Sequence, residues 1–388
     1  MGSQSLPIVY PGAFSLLCEV LSSPAVSPRA IDALRDPERR KALLILAEQE
    51  RVAAALHGAI ATRYSNVLPR IERAVLATHQ EAYRRRNAEF RRALLELGVA
   101  GESADIRFIP LKGAAWLIEN EAGDVSWRQM IDLDVLIQPK QFDLAPRLLE
   151  AIGYSLASTE KRFRDNFHFA PYQHPTIPVT IEIHRHLGWR HQLLPPDMLF
   201  ADARAAAPGL WLAAPWMRLF HAVIHWQEQD HGRSRGSLPI KDLIEVAQFL
   251  GRKDVDWATF ATHADRVGER SACENAIASA HMLLGAPIPQ QFEPTTRARR
   301  WVVNSTARRE SPLGIWLATQ KFRAGTLWWC DKVRYRGALR EMSPAVIALR
   351  VWVARIARLP LLAARTAAIA VQALAWASSA RRVRRDTL

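Results

Sequence analysis

Asp132 and Asp134 stand two residues apart in QMIDLDVLI, a segment in which apolar and acidic residues alternate. On an extended chain this spacing sends both carboxylates to one face and Ile131, Leu133 and Val135 to the other. Two adjacent carboxylates repel unless a cation lies between them, and Mg²⁺, which takes hard oxygen ligands, suits such a pair. A second alternating segment, VTIEIHRHL, puts Glu182 and His184 on the face opposite Ile181 and Ile183. If the two strands are neighbours, three carboxylates meet on one patch. That donor set can hold one or two divalent cations against a polyphosphate. His184 is then an orienting or substrate-binding group, or else a half-exposed strand histidine.

Other residues fit around this trio. In IPLKGAAWL, Lys112 and Gly113 fall where a strand gives way to a helix. The glycine lets the backbone approach a ligand, and the new helix offers unpaired N–H groups to an anion. Arg128, four residues before Asp132, is a further candidate phosphate ligand. The chain has no GxxxxGK[ST] or GxGxxG, so P-loop and dinucleotide-fold chemistry lack support. His221 and His225 lie four apart on one face of a helix and would need a third ligand to hold a metal. Lys241 and Asp242 open the following helix after Pro239, where Asp242 caps that helix or pairs with a histidine across it; both groups could serve an acceptor pocket.

The elements that must position these residues follow from periodicity. Residues 13–35 hold one or two short helices, and 38–64 and 70–99 read as two long ones, the second ended by Gly98 and Gly101. IRFIPL (106–111) and MIDLDVLIQP (130–139) fit strands, with a helix between them. Another helix over 142–152 is closed by Gly153. NFHFAPYQ (166–173) and VTIEIHRHL (179–187) form an antiparallel hairpin with a longer loop. No strand is expected after 190. The expected class is α+β: a helical region 1–101, a mixed-sheet core 102–190, a helical domain 191–296 and a basic helical region 297–388.

Composition narrows the class. With 388 residues, 49% hydrophobic and 23% charged, the chain is globular rather than disordered. Its net charge of +14 is local: residues 297–388 carry 19 basic and 4 acidic groups, so the remainder is nearly neutral. Between 344 and 380 the only charges are Arg350, Arg355, Arg358 and Arg365, on a narrow side of two helices split at Pro360. Their wide apolar face must be covered by the protein body, a partner subunit or an anionic membrane surface, and RRVRR (381–385) could attract RNA or lipid phosphates. Cys18, Cys273 and Cys330 are scattered, as buried free thiols in a reducing compartment would be. No signal peptide or membrane span is predicted, and the expected location is cytoplasmic, with peripheral membrane contact through the basic region.

The order LKG (111–113), RQMIDLDVLI (128–137), EAIGY (150–154) and IEIH (181–184) resembles a nucleotidyltransferase family within the polymerase-beta-like superfamily. HAVIHWQEQ…LPIKDLIEV (221–246) also resembles it, so the likeness spans roughly 38–250. It implies a small mixed sheet in which Gly113 is the turn glycine, Asp132 and Asp134 the metal pair, and Glu182 the third acid. The usual Gly-Ser turn is here Gly113-Ala114, without the hydroxyl that would touch a terminal phosphate. The implied activity is Mg²⁺- or Mn²⁺-dependent transfer of a nucleoside monophosphate from an NTP to an acceptor. Two other classes stay open: an RNA-binding, toxin-like protein that modifies RNA ends, and a non-catalytic interaction protein on the same fold. A basic surface beside the Asp132 cleft would favour RNA, and one pointing away would favour a membrane or partner role.

Overall fold

The computed structural model describes residues 12–22, 26–120, 127–128, 130–157, 167–174, 176, 179–188 and 190–311. Cα packing separates Met1–Thr306 from Ala307–Leu388. The expected tail helices (344–380), the RRVRR cluster and Cys330 lie outside the described residues. Cys18 and Cys273 are free and buried. No helix among the described residues is long and apolar enough to cross a membrane.

Five helices open the fold: α1 Ala13–Leu21, α2 Pro28–Arg35, α3 Pro37–Gln49, α4 Ala53–Arg63 and α5 Arg70–Ser103. Ser27 and Asp36 cap α2 and α3 by accepting backbone N–H groups, each followed by a proline at the first helical position. The continuous helix expected over 38–64 is in fact two. Arg51 adopts a left-handed φ of 58°, while Val52 N–H bonds Ala47 C=O and Arg51 N–H bonds Glu48 C=O. This is a Schellman ending with arginine in the position that glycine usually takes. Buried Val52 anchors the corner. Nothing in the helical periodicity marks the break.

The sheet has the order β3-β4-β5-β2-β1-β7-β6. Its strands are β1 Phe108–Pro110, β2 Leu133–Ile137, β3 Ser155–Leu156, β4 Tyr172–Gln173, β5 Thr180–His184, β6 Arg204–Ala207 and β7 Leu210–Leu212. β1 is antiparallel to β2 and parallel to β7, while β2 and β5 run parallel. Helices α6 Lys112–Glu119 and α7 Ala145–Ala151 connect the early strands, and α8 Pro196–Ala201 precedes β6. The expected hairpin exists in shortened form: β4 pairs antiparallel with β5, but Pro171 cuts it to two residues, leaving His168 as an isolated bridge to His184.

Two expectations fail for a common reason. The β6–β7 pair lies after residue 190, where no strand was expected, because its Ala-rich sequence carries no apolar alternation; pairing with β1 makes it a strand. And α5 runs through Gly98 and Gly101 to end at a left-handed Asp105. A Cβ on Gly98 would stand 2.4 Å from the Pro208 carbonyl oxygen, and one on Gly101 2.6 Å from the Phe108 ring. These glycines let β1 and the β6–β7 turn press against the helix. Gly98→Ala should therefore push the β6–β7 turn off α5 and cost about 1–3 kcal/mol, read as a lower urea midpoint with an unchanged slope. A loss below 0.5 kcal/mol, about the ordinary cost of a surface change, would show that the turn yields freely.

The rest is helical, as the sequence indicates: α9 Pro215–Ile224, a π-helical turn His225–Gln229, α10 Gly232–Arg235, α11 Ile240–Leu250, α12 Trp257–Arg266, α13 Arg270–Leu284 and α14 Thr296–Glu310. The α+β class expected from the sequence is the class observed. One large core joins the N-terminal helices, both buried sides of β2 and the α9–α13 group. Helices therefore also cover the face of β2 that carries Asp134.

Candidate active site

The parallel pairing of β2 with β5 sets the site. Its register places Asp134 beside Glu182 and Leu136 beside His184. Ile181, Ile183, Leu133 and Val135 are fully buried on the opposite face. Asp132, one residue ahead of β2, opens into the same cleft. That cleft encloses about 370 Å³ and is lined by Lys112, Gly113, Arg128, Asp132, Asp134 and Glu182, among others. The three acids therefore share one space, as strand parity suggests. Their face is an interior one, so Asp134 and His184 are buried rather than half-exposed.

Asp134 is the most constrained of the three. His184 Nε2 lies 2.8 Å from its Oδ1, and Lys112 Nζ lies 3.3 Å from both of its oxygens. Burial would raise the Asp134 carboxyl, but Lys112 and the His184 hydrogen bond outweigh it and hold it well below the usual range. An ionised carboxylate only accepts, so His184 Nε2 carries the proton; its Nδ1 is buried without a hydrogen-bond partner. Lys112 takes a left-handed φ of 46° at the start of α6. Burial would lower its ammonium, but Asp134, Asp132 and Glu182 keep it above its ordinary value and charged.

Burial and the Asp134 charge raise Asp132. Burial, Asp134 and Asp132 together push Glu182 up to about 7. Glu182 is thus more protonated in the fold than in the unfolded chain. Its contribution to stability is full below about pH 4.5 and is lost as pH rises through about 7. Metal-free Glu182→Gln should lie within about 1 kcal/mol of wild type near pH 5 and exceed it by about 3 kcal/mol at pH 8. Half-buried His168 and buried His221, lowered to about 4 and about 3 by desolvation, act in the opposite direction below pH 6.5. They do so in both proteins and cancel in the difference. Parallel denaturation curves at pH 5 and pH 8, offset equally at both, would remove Glu182 from this account.

The remaining predicted residues divide into two groups. A Cβ on Gly113 would lie 2.6 Å from Met130 Sδ and 2.7 Å from Arg128 Nε, so the glycine admits the segment that leads into Asp132. Arg128 lines the cleft, but its guanidinium is held 2.7 Å from buried Glu245 on α11. His225 also lines the cleft; its Nδ1 lies 3.5 Å from Asp230 Oδ2, and burial keeps it neutral. His221 faces a smaller cavity behind Lys112, with Arg218 and Glu245. Asp242 lies outside the cleft lining and pairs with Lys241 at 3.1 Å, not with a histidine. No side-chain hydrogen bond caps α11, and Pro239 stands at its cap position.

Arg51, Trp127 and Asp230 also line the cleft and carry no sequence signal. Arg51 sits inside what reads as a continuous helix, and Asp230 follows a π-helical turn that helical spacing does not forecast. His168, 3.8 Å from Glu182, reaches the trio only through the isolated bridge to His184.

Among the described residues, Asp134, Glu182 and His184 offer ligand atoms within 4.8 Å of one another. The oxygen donors suit a hard divalent cation. His184 is committed through its Nε2 proton to Asp134, which makes it an orienting group and leaves the carboxylates as the fitting ligands. A family model described as uncharacterised nucleotidyltransferase matches residues 36–285. No curated protein and no solved structure matches the chain.

Proposed function

Because this chain belongs to that uncharacterised nucleotidyltransferase family, we propose that its cleft transfers a nucleoside monophosphate from an NTP to an acceptor hydroxyl or phosphate, in the manner of the polymerase-beta-like superfamily. The observation that carries this reading is the in-register pair Asp134–Glu182, with Asp132 opening into the same cleft. Asp132, Asp134 and Glu182 would hold Mg²⁺ or Mn²⁺. Such a cation neutralises phosphate charge and polarises the α-phosphorus when bound.

The protein's own groups do the rest. The turn at Gly113 brings backbone against the phosphates, and Lys112 stays charged beside Asp134 to meet them. His184 fixes the Asp134 carboxylate in place. Arg128, locked on Glu245, stiffens the wall that leads into Asp132. Glu182 takes the proton of an acceptor hydroxyl. The acceptor oxygen then bonds to the α-phosphorus while the bond to the bridging oxygen breaks, and pyrophosphate leaves in line. His225 lines the cleft on the helical side, a place from which it could orient an acceptor. The +15 balance of residues 297–388 supports RNA or an anionic membrane surface as the partner that carries the acceptor.

Incubation with each labelled NTP, Mg²⁺ or Mn²⁺ and pooled acceptors, followed by intact-mass analysis, tests the reading. We expect an acceptor to gain one nucleoside monophosphate with matching pyrophosphate release. Consumption of no nucleotide under any of these conditions, with the protein folded, would favour a non-catalytic role.

A further inference from the structure

Resting on the nucleotidyltransferase reading, we infer that Arg51, with Lys241 beside it, is the binding site for the outer phosphates of the nucleotide. Four cations line the cleft: Arg51, Lys112, Arg128 and Lys241. Two are committed across the fold, Lys112 to Asp134 at 3.3 Å and Arg128 to Glu245 at 2.7 Å, whereas half-buried Lys241 meets only its chain neighbour Asp242, at 3.1 Å, and its ammonium keeps donors for a further partner. Arg51 makes no ion pair or side-chain hydrogen bond among the described residues. It lines the same cleft as Asp132, and its charge acts on that carboxyl.

The backbone beneath Arg51 makes the placement specific. A left-handed φ of 58° is costly for a side chain with a Cβ, at about 1 kcal/mol or more. Glycine or asparagine would sit there without that cost. The corner is also tied across the fold: Glu50 Oε2 accepts the Ile240 backbone N–H at 3.0 Å. That hydrogen bond draws the Arg51 corner to the start of α11, one residue from Lys241. Two cations from segments 190 residues apart in sequence are thereby set on the rim of one cleft.

The acids that share the cleft say what they are for. Asp132, Asp134 and Glu182 repel a polyanion, so a polyphosphate needs an attracting group elsewhere on the rim. Lys112 is mostly buried against Asp134 and can serve only phosphate that reaches the sheet. Arg51 is exposed, and its planar guanidinium offers five donors in the fork that phosphate oxygens accept. The inner phosphate therefore belongs at Gly113 and Lys112, and the outer phosphates at Arg51 and Lys241.

The test uses the full chain with saturating Mn²⁺ and inorganic tripolyphosphate as the probe, measured by titration calorimetry, with AMP as a short control anion. Arg51→Gly removes the guanidinium and accepts the left-handed backbone, so the melting temperature and Mn²⁺ affinity should hold. Tripolyphosphate affinity should fall by about 10- to 100-fold, AMP affinity should stay within about twofold, and Arg51→Lys should restore part of the loss. Arg51→Asn, which also tolerates left-handed φ, should show the same loss and guards against instability of the glycine variant. Unchanged tripolyphosphate affinity in both variants overturns the assignment, as does an equal loss for AMP. If wild type with Mn²⁺ binds no tripolyphosphate at all, the nucleotidyltransferase reading falls, and this site with it.

Discussion

Asp132→Asn should fold as the wild type does and lose about three orders of magnitude of nucleotidyl transfer. Asp132 precedes β2, is partly exposed and faces the cleft, so the core loses nothing. It also repels Asp134 and Glu182, and burial already works against its charge. Removing that charge should leave the metal-free melting temperature unchanged or slightly raised. A divalent cation, by contrast, loses a charged oxygen ligand. The discriminating measurement is therefore a pair of melts with and without Mn²⁺. Wild type should gain stability with the metal and the variant little. Equal metal-induced shifts in the two proteins would remove Asp132 from the ligand set, whatever happened to the activity. Asp134→Asn is a poorer probe, since it also strips the partner from Lys112 and His184 inside the fold.

The largest effect on stability is expected at Glu119, at the far end of the helix that begins with Lys112 and Gly113. Its carboxylate lies 2.8 Å from Arg218 and 2.5 Å from Arg252. Arg218 is buried, with its guanidinium 5.0 Å from the Trp116 ring and 5.4 Å from that of Phe249. Burial would raise Glu119, but the two arginines hold it below its usual value. Glu119→Gln keeps the shape and removes the charge, which leaves Arg218 without its counter-ion in a desolvated place. The expected cost is about 3–5 kcal/mol, seen as a lower denaturant midpoint. Adding Arg218→Met should recover much of it, because the uncompensated charge causes the loss. A single variant that loses less than about 1 kcal/mol would show that water reaches Arg218. Since α6 carries the Lys112–Gly113 turn, the same variant should weaken Mn²⁺ binding only as far as it loosens that helix.

Much of this protein was legible from residue spacing. Period-two alternation placed Asp134 and Glu182 on matched faces, and helical periodicity found most of the helices on both sides of the sheet. Lys112-Gly113 was correctly read as a strand-to-helix junction. These features are local: they depend on which way a side chain leaves its own strand or helix, which neighbouring residues reveal. What the sequence by itself could not supply was the partner of each face. Gly98 and Gly101 read as a helix end, yet α5 passes through both, and their missing Cβ atoms leave room for the β6–β7 turn and Phe108 of β1. The Ala-rich strand Arg204–Ala207 carries no alternation and becomes a strand by pairing with Leu210–Leu212. The face holding Asp134 and His184 read as outward; the helices after residue 214 cover it, turning two surface groups into a buried hydrogen-bonded pair. Arg51 is the sharpest case. It lies in an unbroken helical pattern, and only packing of Val52, the Schellman ending and the Glu50–Ile240 hydrogen bond bring it to the cleft. Periodicity tells a residue's direction relative to its own chain, whereas burial, breaks and charge partners arise from segments that meet after folding. The sequence therefore determined the acids and their common face, and the tertiary structure decided which cations oppose them and which of those remain free to receive a ligand.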